Sequence, residues 1–106
     1  MWKVDKSSLT GVTTANYKNV MDWKTAELGK KTILLKNTDA SQSLKYKLLA
    51  YAVEGGIVKE LAAETMLAPG ELAEFHYNRQ WDKLELMTAS GSGAGSYQID
   101  YEGQGA

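Results

Sequence analysis

One histidine, His76, stands among 106 residues, so any proton transfer through imidazole would have to use it. Glu74 precedes it by two positions, and in an extended segment the two side chains share one face and can meet. Nucleophilic catalysis needs more, namely a Ser, Thr or Cys beside the base and a third group orienting it. No Gly-x-Ser-x-Gly elbow supports such a centre. Alternation over residues 71–79 sets His76 on a polar face, where a solvated histidine is the simpler reading. The chain has no cysteine, which removes disulfide frameworks, thiolate zinc sites, iron–sulfur clusters and cysteine nucleophiles together. A single histidine also rules out a multi-histidine metal cluster within one chain.

Other chemistry fares no better. The glycines at 91, 93 and 95 lack the Gly-Lys-Ser/Thr of a phosphate loop and lead into a strand rather than a helix. Asp22, Asp39 and Asp100 are too scattered for a calcium loop. Thirteen acidic residues single out no pair for glycoside hydrolysis. The expectation is a protein that is not an enzyme and carries no metal or cofactor.

Composition sets the frame. Hydrophobic residues make up 43% and charged residues 24%, values of an ordinary folded domain rather than a disordered chain. Twelve basic against thirteen acidic side chains leave a net charge of -1, which argues against nucleic acid as partner. Met1 is followed by Trp2, Lys3, Val4 and Asp5 with no apolar signal region, and no run approaches the length of a membrane span. One domain with no membrane partner is expected.

The chain then divides into short segments. Residues 1–15 lack a period of 3.6 or 2 and read as a polar N-terminal arm, with Trp2, Val4 and Leu9 as candidate partner contacts. Residues 16–23 and 31–36 are candidate strands, separated by a turn at 27–30. Residues 43–54 give the clearest one, with Leu44, Tyr46, Leu48, Ala50 and Ala52 on one face. Gly55-Gly56 makes a hairpin turn. Residues 57–67 fit both helix and strand, and the preceding hairpin favours strand. Pro69-Gly70 is a second tight turn. Residues 71–79, 81–89 and 97–102 alternate again, a glycine-serine loop precedes the last of them, and residues 103–106 read as a loose tail. About seven short strands in one domain over 16–106 predict an all-β, antiparallel β-sandwich, Ig-like or jelly-roll-like.

Most aromatic residues fall where a sandwich needs core. Tyr51, Tyr77, Tyr101 and Trp2 could instead form an exposed platform for sugar stacking or protein contact.

The segment 66–71 with its Leu67-Ala68-Pro69-Gly70-Glu71 turn, Arg79 and the run 81–86 carry a resemblance, joined by residues 33–38 and 44–48 and by Tyr97-Gln98-Ile99-Asp100-Tyr101. In this layout the chain resembles small β-sandwich virion proteins of tailed bacteriophages, which decorate heads or form tail and neck accessories. The resemblance covers some three quarters of the chain. It implies assembly on a virion after synthesis in the host cytoplasm, with other virion proteins and copies of itself as partners, and neither catalysis nor cofactor. It transfers no contact residue. The competing reading is a carbohydrate-binding module that presents an aromatic platform near Tyr51, Tyr77 or Trp81 to a glycan.

Overall fold

The computed structural model describes residues 4–53, 55–90 and 93–105. Among them there is no helix. Eight strands follow in order: β1 (Val4–Thr13), β2 (Lys18–Lys24), β3 (Leu28–Asn37), β4 (Leu44–Tyr51), β5 (Val58–Leu67), β6 (Leu72–Tyr77), β7 (Lys83–Ser90) and β8 (Gly95–Gly105). They form two four-stranded antiparallel sheets, ordered β1-β8-β3-β6 and β2-β7-β4-β5. Successive strands thus mostly cross between sheets, which is the double Greek key of a jelly roll and decides between the two sandwich types expected.

Alternation explains most of the strands. On β4, Leu44, Tyr46, Leu48 and Ala50 are buried, while Lys45 and Lys47 between them reach outward. Leu84 and Leu86 of β7 flank them in the same sheet and Ile33 and Leu35 of β3 lie in the facing sheet, all four fully buried. Burying each such side chain contributes about 1.5–3 kcal/mol. Ala52 lies past the end of β4 and is exposed, so the inward face stops at Ala50. Segment 57–67 is a strand from Val58 onward. Its backbone finds partners on β4, and two register irregularities bend it away from ideal alternation.

Three expectations are corrected. Residues 4–13 of the expected arm are strand β1, paired with β8 without a register break from Val4↔Gln104 to Thr13↔Gly95. The sandwich therefore does not begin at residue 16, and there are eight strands rather than seven. The expected tail belongs to β8 as far as Gly105, where a central strand between β1 and β3 needs the length. The turn expected at 27–30 falls earlier, closed by the Leu28 N–H donating to the Thr25 carbonyl at 2.9 Å.

Small residues and buried polar groups lock the layers together. At Gly103 a Cβ would sit 2.7 Å from Leu28 Cδ1 and 3.0 Å from Trp23 Cζ2, so β8 needs glycine there for the second sheet to close on it. Asn37, fully buried, donates to the carbonyls of Gln42 (2.8 Å) and Leu67 (3.0 Å) and accepts from the Asp39 N–H at 2.9 Å. Lys31 is 2% exposed; its ammonium donates to the carbonyls of Leu28 (3.1 Å), Gly29 (2.8 Å) and Arg79. Those three carbonyls solvate a charge that burial otherwise disfavours, and burial lowers the Lys31 pKa.

Candidate interaction surface

Exposed apolar residues gather at the β4–β5 turn. Ile57 is 92% exposed, Val53 68% and Val58 47%. The turn is tightened by Gly56 N–H donating to the Val53 carbonyl at 3.0 Å, and Gly55 takes φ +76°. An isolated apolar side chain on a surface is ordinary, but three within six residues on one projecting hairpin form a patch. Met66 on the same edge strand is 58% exposed.

The outer face of the β2-β7-β4-β5 sheet carries charges that satisfy one another. Tyr17 donates its hydroxyl to Glu64 Oε1 at 2.5 Å, and Lys47 lies 4.4 Å from the centre of its ring. Burial, and then the Glu64 carboxylate, push the Tyr17 hydroxyl well above its ordinary pKa, while the same bond and the lysines at 45 and 47 hold Glu64 low. At the other end of the face, Lys83 meets Glu85 (3.2 Å) and Asp22 (3.7 Å). Tyr51 and Asn19 both donate to Glu85, at 2.7 and 3.3 Å. The bond to Glu85 raises the pKa of Lys83 and of Tyr51. A cation already neutralised this way has little left to offer a phosphate backbone.

The outer face of the other sheet holds His76. Its Nδ1 lies 3.1 Å from Thr32 Oγ1 and its Nε2 3.4 Å from Glu74. Hydroxyl, imidazole and carboxylate are thus in sequence, and the expected Glu74–His76 contact forms. Both side chains are more than half exposed on an open sheet, without the enclosed, pre-aimed donors that stabilise developing charge. Nearby, a shallow trough of about 480 Å³ runs over Leu34 between Lys6, Ser8, Thr32, Asp100 and Glu102.

Of the partner contacts singled out from the sequence, the two that are described, Val4 and Leu9, point to opposite faces of β1. Trp2 lies outside the described residues. Val4 is 56% exposed at the edge of the first sheet, whereas Leu9 turns inward and packs against the core. Among the described residues, most of the expected platform aromatics pack inward. Tyr101 packs tilted against Trp23 with ring centroids 4.6 Å apart, and Tyr77 and Trp81 pack on the core, while Tyr51 lies on an outer face. The Trp81 Nε1 is buried and has no hydrogen-bond partner. The apolar tip went unnoticed in the sequence because Val53, Ile57 and Val58 fit strand alternation, and only the paired glycines marked a projecting turn.

No protein-family model matches the chain, and no curated protein matches it in sequence. Solved structures do share its fold. PirA is 17% identical, with a TM-score of 0.66 over 89% of this chain and 92% of that one. A protein of the Bacillus endospore appendages, described as a family of disulfide-linked pili, is 15% identical with a TM-score of 0.58, covering 99% and 89%. The SPBc2 prophage-derived protein YomS is 13% identical with a TM-score of 0.57, covering 94% and 95%. At such identities the likeness establishes a common fold, and the structural neighbours include a pilus protein and a prophage-derived one.

Proposed function

We infer that the protein is a non-enzymatic structural subunit of a phage virion, a head decoration or a head/tail accessory component that acts by protein–protein assembly. The observation carrying this reading is the apolar tip, since Ile57 at 92% exposure beside Val53 and Val58 is a surface that water disfavours and a protein partner would cover. The jelly roll supports it, being an architecture that recurs in viral coats. The likeness to a prophage-derived protein and to a pilus protein points the same way. Paired charges on one sheet face and an open, solvated histidine on the other suit a scaffold better than a catalyst. The tip then meets another virion protein, while Val4 at the first sheet's edge remains available to copies of the chain, beside Trp2 and Leu9 in sequence.

The test is mass spectrometry of density-banded virus particles from the source culture. Stoichiometric amounts of the chain in the particle band support the reading. A chain plainly expressed yet missing from that band overturns it.

A further inference from the structure

Each sheet has two edges, and three of the four are guarded against pairing. Strand β6 has only six residues. Strand β2 has a register irregularity between Asn19 and Met21, and β5 pairs β4 through two more. Short edges and bulges are common ways of preventing a sheet from adding another strand. On β5, moreover, the two-fold register centred on Ala62 would set Glu60 against Glu64 of a second copy. Strand β1 is neither short nor bulged, and its charged side chains are only Asp5, bonded inward to Trp23, and Lys6. It runs ten residues without proline or register break.

The order of its side chains is close to a palindrome. Val4, Lys6, Ser8, Thr10 and Val12 alternate outward, and Val4 and Val12 are 56% and 53% exposed. In an antiparallel pair of identical strands, residues opposite each other must share both their sheet face and their backbone direction. A register centred on Ser8 meets both conditions. It sets Val4 against Val12, Lys6 against Thr10, Asp5 against Gly11 and Ser7 against Leu9, each pair occurring twice. No like charges are opposed, and the four exposed valines cover one another.

We propose that the chain forms a two-fold dimer by antiparallel pairing of β1 with β1 of a second copy, Ser8 lying on the axis and Val4 of each copy facing Val12 of the other. The product is one continuous eight-stranded sheet. The proposal deepens the assembly reading by naming the second copy as the occupant of this edge. A single strand pair with few side-chain contacts lies at the small end of interfaces, so a dissociation constant of roughly micromolar to millimolar is expected.

Sedimentation equilibrium across that concentration range tests it, with two variants at an exposed position. T10K sets a new ammonium group against Lys6 of the other copy twice and weakens the dimer about threefold to thirtyfold; T10E sets a carboxylate against the same lysine and tightens it by a similar factor. Because the chain has no cysteine, register can be read directly. Under mild oxidation a mixture of V4C and V12C yields a disulfide-linked dimer, whereas neither variant alone does. A monomer at the highest concentration overturns the proposal, and so does equal affinity of T10K and T10E or cross-linking of V4C with itself. These measurements use the purified chain, so they are separate from the particle assay. A monomeric chain found in virions sinks the dimer alone, and a dimeric chain absent from virions sinks the virion role alone.

Discussion

Trp23 on β2 donates its indole N–H to the carboxylate of Asp5 on β1 at 2.9 Å, a side-chain hydrogen bond that bridges the two sheets. It explains how an acidic residue can point inward from a strand with few apolar side chains. Asp5→Ala leaves a mostly buried indole N–H without its acceptor, at a cost of about 1–3 kcal/mol. The expected drop in Tm is roughly 5–15 °C. Asp5→Asn keeps an acceptor and recovers most of the loss, and differential scanning calorimetry on the three proteins checks both.

Gly103→Ala is expected to destabilise the sandwich by about 1–3 kcal/mol through overpacking. The new methyl has to displace Leu28 or the Trp23 ring, which lie 2.7 and 3.0 Å from its position. Leu28→Ala in the same chain makes room and should relieve part of the strain. A double-mutant cycle by urea unfolding measures that coupling, and strict additivity would refute the steric cause.

Asp39 accepts from the backbone N–H groups of Gln42 (2.8 Å), Ser41 (3.1 Å) and Ser96 (3.2 Å), tying the β3–β4 loop to the start of β8. Those bonds hold its carboxyl below the ordinary value of 3.8 in the folded state. A depressed carboxyl contributes stability above its unfolded pKa and loses it as pH falls through the folded one. Asp39→Asn should therefore be less stable than the parent at neutral pH. The gap should narrow as the medium is acidified below that range, and denaturant titrations at stepped pH read it.

Alkaline pH should act in the opposite sense. Tyr17, Tyr51, Tyr77 and Tyr97 keep their protons above the ordinary 10.0 when folded, as Lys83 does above 10.5. Groups with raised pKa values stabilise the fold below the unfolded value and lose that contribution as pH climbs through the folded one. Lys31, lowered by burial, works against them, but it is one group against five. Stability should fall above about pH 10, with tyrosine ionisation at 295 nm lagging in the native protein until it unfolds.

Ile57→Ser should leave folding stability within about 0.5 kcal/mol, because a side chain 92% exposed gives up almost no packing. The same change should lower incorporation of the chain into particles when the variant replaces the parent during infection. Unchanged incorporation would remove the tip from the assembly surface while leaving the remaining structure intact.

Alternation by itself determined the class of this protein. Leu44 to Ala50, Ala73 to Tyr77, Leu84 with Leu86, and Tyr97 with Ile99 announce strands with one wet and one dry face, because side chains at a period of two must separate that way. Glycine and proline placed the turns at 55–56 and 69–70 for an equally local reason. The absence of cysteine and the single histidine excluded whole classes of chemistry. Strand β1 was hidden, since Asp5, Gly11 and Thr13 point inward where an apolar residue would have signalled a strand. Only tertiary structure supplies the Trp23 indole to Asp5, the Tyr97 ring that would collide with a Cβ at Gly11, and the Thr88 carbonyl that accepts from Thr13 at 3.0 Å. The tail was hidden likewise, because glycine at 103 and 105 looks like a linker until Trp23 and Leu28 are seen to fill the space above it. The order β1-β8-β3-β6 and the inward turn of Tyr101 and Trp81 rest on contacts between residues far apart in the chain. So does the packing of Tyr77 on the core. Packing across two sheets decides them, and no local pattern encodes it.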